Sequence, residues 1–290
     1  MVPARSLVRI MRERQSVRAY SGKALPAASF TELVAACGSL TRGPLGTECR
    51  IRLVEDVWSV WGARHFLAGA ARRGPHALVD LGRLLEELVL RATGLSLGTC
   101  WIGLGFPRRA FAQALALAPQ EVLPAVIAVG LPSDRQTAYS LAARLATGAA
   151  RRKPWGELFF DGDFRTPLAE PAESAAAIGP YTLALEMVRL APSARNSQPW
   201  RIVRGGPAEG PQFHFFRQQP AGLLPPRPDW QLLDIGIAMA HFELALAEAG
   251  VRGRWSAEAP SGPPTASGLP AGGFHRRTEY VASWLQGVRP

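Results

Sequence analysis

Two stretches of this chain repeat each other, and the repeat limits the possible folds more than any other feature. The tripeptides DLG at 80–82 and DIG at 234–236 each open a long apolar helical pattern, and a tryptophan follows 21 residues after each aspartate, at Trp101 and Trp255. Upstream of both, a helical pattern, a polar turn and a strand pattern occur in the same order. Amphipathic helices can match by chance, but the shared order of elements favours an internal duplication.

The composition predicts a folded protein with a positive field. The chain has 290 residues, of which 47% are hydrophobic and 19% charged, enough apolar material for a sizeable core. Its net charge of +10 favours anionic partners such as phosphorylated cofactors, nucleic acid or membrane surfaces. The basic residues are scattered rather than arranged in a stripe with interleaved aromatic residues, so we expect no nucleic-acid partner.

Cysteine usage and hydropathy predict the environment. Three cysteines at irregular spacing suit a reduced cytoplasm better than a disulfide framework, and no Cys/His cluster suggests a metal site. The first residues lack the apolar run of a signal peptide, and no segment approaches the ~20 apolar residues of a membrane span. We therefore expect a soluble cytoplasmic protein without a membrane partner.

The two predicted halves differ in where their polar motifs lie. The first half contains RERQSVRAY at 12–20 and GLSLGTCWIG at 94–103, and the second contains APSARNSQPW at 191–200. The basic stretch RRKPWGELF at 151–159 lies between the halves. The polar motifs of one half have no comparable counterpart at the matching positions of the other half. A single site that draws on both halves would explain this distribution, and so would simple drift.

These motifs resemble those of the nitroreductase family of flavoproteins. Arg14, Ser16 and Arg18 match its R-[RH]-S-x-R-x-F motif, from which Gln15 and Tyr20 depart. The stretch APSARNSQPW agrees with A-P-S-x-x-N-x-Q-P-W at every fixed position, GLSLGTCWIG resembles its G-L-G-[TS]-C-W-I-G turn, and RRKPWGELF resembles a basic tail element before a final strand. The order of the motifs is similar to that of a fused, pseudo-dimeric branch of the thermophile type.

The resemblance implies an α+β fold, with antiparallel sheets flanked by long helices in two pseudo-symmetric halves. It implies a first half at 1–150, a connector with the basic tail element at 151–175, and a second half at 176–290. Ordinary members are homodimers that hold flavin mononucleotide (FMN) at the subunit interface. A chain that carries both halves is expected to be a monomeric pseudo-dimer or a weak homodimer.

The resemblance also assigns residues to FMN. Arg14, Ser16 and Arg152 would bind the phosphate, and Arg18 would approach the pyrimidine edge of the ring. The turn at 98–103 would lie against the ring, although it could also be an ordinary helix end followed by core residues. Each arginine, taken alone, could equally lie on a solvated helix face. The full set of expected cofactor-binding residues is Arg14, Gln15, Ser16, Arg18, Trp101, Ile102, Gly103, Arg152, Pro192, Ser193 and Asn196.

The implied function is an FMN-dependent oxidoreductase that passes hydride from NAD(P)H to a nitroaromatic, a quinone or a similar small-molecule acceptor. No catalytic side chain and no metal are expected, because the flavin carries the chemistry. The alternative is a flavin-binding or flavin-less relic that acts as a sensor or scaffold. Gln15 and the incomplete second set of motifs motivate that alternative.

Overall fold

The chain forms two compact units, residues 1–150 (unit 1) and 151–290 (unit 2). The structure is a computed structural model that describes residues 5–133, 151–171, 179–207, 210–219, 229–259 and 278–287. The expected connector at 151–175 is described as far as residue 171. Its described part belongs to unit 2, where it forms a helix and a strand.

Unit 1 combines an antiparallel sheet with helices. Its helices are α1 (Leu7–Glu13), α2 (Ala27–Ser39), α3 (Ala77–Gly94) and α4 (Arg108–Ala114). Its strands are β1 (Cys49–Val60), β2 (Ala63–Arg72), β3 (Gly98–Ile102), β4 (Glu121–Val122) and β5 (Val126–Gly130). In the described part of the unit the strand order is β1-β2-β5-β3, and β4 pairs with β2.

Both faces of the unit 1 sheet are buried, because alternate residues of a strand point to opposite faces. In β2, Leu67 packs in a core with residues of α2 and α3, whereas Phe66 packs in a second core with Phe111 of α4. The two-residue turn Trp61-Gly62 joins β1 to β2, and both residues have positive φ, as tight hairpin turns require. The sheet is therefore a central layer that holds β3 in place.

Unit 2 has a mixed sheet. Its helices are α5 (Trp155–Leu158), α6 (Pro180–Leu190) and α7 (Trp230–Glu248). Its strands are β6 (Phe159–Asp161), β7 (Trp200–Gly205), β8 (Gln212–Gln218), β9 (Gly253–Ser256) and β10 (Thr278–Gln286). The described strands lie in the order β6-β7-β8-β10-β9, with β6 parallel to β7 and the other pairs antiparallel. The helices and the largely antiparallel sheets of both units agree with the expected α+β class.

The two units share a topology. The order β7-β8-β10-β9 in unit 2 repeats the order β1-β2-β5-β3 in unit 1. In the described part of each unit, two helices precede the first hairpin of this order and a long helix follows it. This correspondence supports the proposal that the units arose by duplication.

The repeated aspartates perform the same structural task. In unit 1 the Asp80 carboxylate accepts hydrogen bonds from the amides of Leu45 (2.9 Å) and Thr47 (2.8 Å). In unit 2 the Asp234 carboxylate accepts one from the amide of Ala194 (3.0 Å). Each aspartate thus fixes the polar turn that leads into the first hairpin. The helices begin earlier than the repeat suggests, at Ala77 and Trp230, because a first turn needs no apolar periodicity.

The described residues offer neither a membrane span nor a metal site. None of the helices within them combines the length and apolar composition that a bilayer span requires. The same residues contain no group of three or more His, Cys, Asp or Glu side chains that could hold a metal ion.

Candidate functional site

In unit 1 the motif at 12–20 lies beside the strand of the motif at 94–103. The Val17 amide donates to the Thr99 carbonyl (2.9 Å), and Ser16 forms a parallel bridge with Thr99. Further along, the Ser21 amide donates to the Leu131 carbonyl (2.9 Å). The segment 16–21 therefore extends the sheet beyond β3 and brings together two motifs that are about 80 residues apart in the sequence.

The stretch 98–103, expected to be a turn, is largely the strand β3. Residues 98–102 pair with β5, with Trp101 opposite Ile127, because this stretch supplies the strand that completes the sheet. Trp101 is half-buried, Ile102 lies in the core shared with Phe111, and Gly103 follows the end of the strand. The backbone groups of β3 therefore pair with β5, besides any contact that they make with a ligand.

Close packing of the two motifs depends on Gly98. A Cβ added at Gly98 would lie 2.9 Å from Cβ, Cγ1 and Cγ2 of Val17. We expect Gly98→Ala to displace the segment 16–21 and to lower the free energy of unfolding by about 1–3 kcal/mol. Thermal denaturation measures this loss.

Gly38→Ala is the matched control. Near the end of α2, an added Cβ at Gly38 meets no described atom within 4 Å. Alanine there should be neutral or stabilising by up to about 1 kcal/mol, because it favours the helix. Equal stabilities of Gly98→Ala and Gly38→Ala would contradict the packing argument.

Three of the expected cofactor-binding residues affect the pKa of the Cys100 thiol. Burial raises the pKa of the Cys100 thiol; the positive charges of Arg18 and Arg14 and a hydrogen bond with Ser16 act in the opposite direction. The thiol therefore remains protonated at neutral pH, and the two guanidinium groups provide a positive potential beside β3.

Arg14 is half-buried, and its Nε atom is buried without a hydrogen-bond partner among the described residues. Burial lowers the pKa of Arg14, and the negative charge of Glu86 raises it. Glu86 is fully buried on α3 and accepts a hydrogen bond from the Trp101 indole (2.9 Å). One buried carboxylate therefore contacts one expected cofactor residue and stabilises the charge of another.

The remaining residues of the first motif are more open. The Arg18 guanidinium lies 5.9 Å from the ring centre of Trp61, within cation–π range. Gln15 is exposed and, with Val17 and Gly98, lines a shallow cavity of about 200 Å³. Tyr20 is buried, and its hydroxyl donates to the Ala128 carbonyl (3.3 Å), so it anchors the end of the motif in the sheet.

In unit 2 the motif APSARNSQPW forms a tight turn between α6 and β7. The half-buried Pro192 follows the end of α6, and the Ser193 hydroxyl accepts a hydrogen bond from the Gln198 amide (2.9 Å). Arg195, Asn196 and Gln198 have positive φ angles. Such a backbone is rare outside glycine, so side-chain contacts must hold it.

The contacts that hold this turn come from the basic stretch at 151–153. The Arg152 guanidinium donates to the carbonyls of Leu190 (2.8 Å) and Ala191 (3.2 Å) and to Asn196 Oδ1 (2.9 Å). Asn196 Nδ2 in turn donates to the Arg151 carbonyl (2.7 Å). Arg152 and Asn196, both expected to bind FMN, are therefore brought together and bind each other.

Two further residues, Gln198 and Asp234, hold the turn by hydrogen bonds. The buried Gln198 side chain accepts from the Lys153 amide (2.8 Å) and donates to Asn196 Oδ1 (3.2 Å). Asp234 accepts from the Ala194 amide, and the Ser197 hydroxyl lies 3.5 Å from its other oxygen. Burial raises the pKa of Asp234 to about 8, although the hydrogen bonds from Ala194 and Ser197 lower it.

Sequence reasoning missed Glu86 and the roles of Asp234 and Gln198 in the site. A signal for Glu86 is present in the helix pattern. Arg83, Glu87 and Arg91 form ion pairs along one stripe of α3, and Glu86 lies outside that stripe. A carboxylate off the charged stripe of an amphipathic helix faces the core and needs a partner there.

Comparison with known proteins places this fold and these motifs in a family. Residues 6–246 match the sequence profile of the family described as "Putative TM nitroreductase". The chain belongs to this family. Membership confirms the resemblance that the motifs indicated and makes the protein a nitroreductase-type oxidoreductase in general terms. A search of the curated proteins gave no match.

A solved structure of similar fold covers nearly the whole of this chain. A protein of Thermotoga maritima described as "putative nitroreductase" matches with 17% identity and a TM-score of 0.57, over 99% of this chain and 95% of its own. A Bacteroides fragilis nitroreductase with bound FMN matches with 16% identity and a TM-score of 0.39, over 60% and 98%. A nitroreductase family protein of Clostridium novyi matches with 18% identity and a TM-score of 0.38, over 45% and 87%.

Proposed function

We propose that this protein is an FMN-dependent oxidoreductase that passes hydride from NADH or NADPH to a nitroaromatic, a quinone or a similar small molecule. Family membership supports the class of reaction. The observation that carries the proposal is the position of Arg14, Ser16 and Arg18 beside β3, because the bridge of Ser16 with Thr99 and the hydrogen bond from the Val17 amide to the Thr99 carbonyl (2.9 Å) place their motif there. Arg14, Ser16 and Arg18 are residues that the family resemblance assigns to FMN.

The chemistry of these donors fits FMN. The cofactor has a dianionic phosphate and a ring that gains negative charge on reduction, and both need fixed positive groups. Arg14 and Arg18 supply the charges, and the Ser16 hydroxyl supplies a further donor. The buried Nε of Arg14 lacks a partner among the described residues, so a bound anion would satisfy it.

Within this proposal the residues have separate tasks. Arg14 and Ser16 would bind the phosphate, Arg18 would approach the pyrimidine edge, and Trp101, Ile102 and Gly103 would lie next to the ring. Bound FMN supplies the two-electron transfer between the nicotinamide and the acceptor.

The family resemblance also assigns Pro192, Ser193 and Asn196, in the turn of unit 2, to FMN. Arg152 acts through Asn196, which it holds by a hydrogen bond (2.9 Å). The chain's part in the reaction is position and charge, because the flavin carries the chemistry.

Flavin content tests the proposal directly. We expect purified protein to be yellow and to release one FMN per chain on denaturation, because the full set of motifs occurs once, divided over the two halves. Absorbance of the released flavin against protein concentration measures this ratio. A colourless protein that leaves the spectrum of added FMN unchanged would refute the function, and two flavins per chain would refute the single set.

The loss of Arg18 is expected to weaken flavin binding. Removal of one charge-assisted contact costs about 1.5–3 kcal/mol, so Arg18→Ala should raise the Kd of FMN about 10- to 100-fold in a fluorescence titration. Arg12→Ala, which removes an exposed arginine of α1, is the control and should bind FMN like the wild type. Equal affinities of the two variants would remove Arg18 from the site.

One observation favours a second candidate, a flavin-less scaffold of the same fold. The side chains of Arg152 and Asn196 already bind each other and backbone carbonyls, so their geometry is explained without a ligand. This candidate predicts no FMN binding and no oxidation of NADH or NADPH with a quinone present. The flavin content described above separates the two.

A further inference from the structure

The two repeated tryptophans have different surroundings. Trp101 Nε1 donates to Glu86 (2.9 Å), whereas Trp255 Nε1 is buried and has no hydrogen-bond partner in the described part of unit 2. With the offset of 154 residues that relates the repeats, the counterpart of Glu86 is Ala240, which is also buried. Unit 2 therefore has the corresponding strand and helix without a carboxylate at this position.

Glu86 is thus not a requirement of the shared fold. A fully buried carboxylate is unfavourable unless charges or donors nearby compensate it. The compensating groups here are the Trp101 indole and the positive charge of Arg14. Both residues belong to the set that the proposed function assigns to FMN, and unit 1 is also the unit that carries the motif of Arg14.

We propose that Glu86 is a positioning residue of the flavin site, which fixes the Trp101 indole by a hydrogen bond and holds the Arg14 guanidinium by charge. This inference rests on the proposed function. The carboxylate also places a negative charge near a site that otherwise contains cations. Its removal should therefore make the reduction potential of bound flavin more positive, since reduction adds negative charge to the ring.

The test uses the flavin-loaded full chain. Glu86→Gln keeps an acceptor for Trp101 but loses the charge, and we expect about a tenfold rise in the Kd of FMN and a more positive potential. Glu86→Asp restores the carboxylate, so its Kd for FMN and its reduction potential should both lie closer to the wild-type values. The control is Glu87→Gln, on the stripe of ion pairs with Arg83 and Arg91, which should leave both values as in the wild type.

If Glu86→Gln does not fold, a second pair of variants tests the role of Glu86. Trp101→Phe removes the donor to Glu86 and is expected to weaken FMN binding, whereas Trp255→Phe removes a group that has no described partner and should not. Wild-type affinity and potential in Glu86→Gln, or equal effects of the two tryptophan variants, would overturn the role of Glu86 alone. A wild-type chain that binds no flavin would overturn this role together with the proposed function.

Discussion

Asp234→Asn is expected to remove a loss of stability that the wild-type chain undergoes as the pH rises. Asp234 is 3% exposed, and burial raises its pKa from the usual value to about 8, with a further rise from the charge of Asp229. Between about pH 4 and pH 8 the folded chain therefore keeps a proton that the unfolded chain has released. The folded state binds more protons, so its stability falls with rising pH across this window.

The slope of this fall is at most about 1.4 kcal/mol per pH unit for one proton. Asparagine cannot ionise, so the variant should lose less stability between about pH 5 and pH 8, as measured by Tm. The pKa of His214 is lowered by burial, which has the opposite effect at lower pH. Because His214 is common to both proteins, the difference between them isolates Asp234.

Asp80→Asn is the matched control. The Asp80 carboxylate accepts from two backbone amides, one at each oxygen, and asparagine has only one acceptor oxygen. This variant should therefore be less stable than the wild type at about pH 8 by roughly 1–3 kcal/mol, whereas Asp234→Asn should be more stable there. Identical pH slopes in the wild type and Asp234→Asn would show that Asp234 is ionised across the window.

Arg152→Ala is expected to destabilise unit 2 and distort the turn at 191–200. Its guanidinium donates to the carbonyls of Leu190 and Ala191 at the end of α6 and to Asn196. Its removal leaves three partly buried acceptors to find new donors, which costs about 3 kcal/mol or more. Urea denaturation measures the loss, and the proposed function predicts a parallel fall in FMN affinity, because Asn196 loses its support.

The neighbouring arginine provides the comparison. The Arg151 side chain is exposed, and the hydrogen bond from Asn196 goes to its backbone carbonyl. Arg151→Ala should therefore change stability by less than about 0.5 kcal/mol. If Arg152→Ala unfolds at the same urea concentration as Arg151→Ala, the contacts of Arg152 do not hold the turn.

Local patterns predicted much of the fold because they depend on neighbouring residues. The stretches PWRIVRGG at 199–206 and QFHFFRQ at 212–218 predict the hairpin of β7 and β8, and the apolar run AVIAVGLP at 125–132 predicts β5. The same reasoning does not find β2, whose sequence ARHFLAGAAR has few β-branched residues. Small side chains suit this strand because both of its faces are covered by core, a tertiary condition that no local pattern reveals.

The sequence predicts which residues form the candidate site, but it does not predict the contacts between them. The motifs, read through a family resemblance, single out Arg14 and Asn196. They could not reveal that Asn196 is held by Arg152, or that Arg14 and Trp101 share Glu86, since these contacts join positions 44 or more residues apart or lie across a helix and a strand. The expectation of a turn at 98–103 failed for a related reason, because strand pairing with β5 determines that backbone.

The parallel pairing of β6 with β7 determines where this protein can be divided. β6 lies at the edge of its sheet and precedes α6 in the chain, so a fragment that starts at residue 176 would lack it. The backbone of residues 202–204, which β6 covers, would then be an open strand edge, and such edges recruit other chains. A fragment that starts at residue 151 would retain its own edge strand and should remain the more soluble of the two.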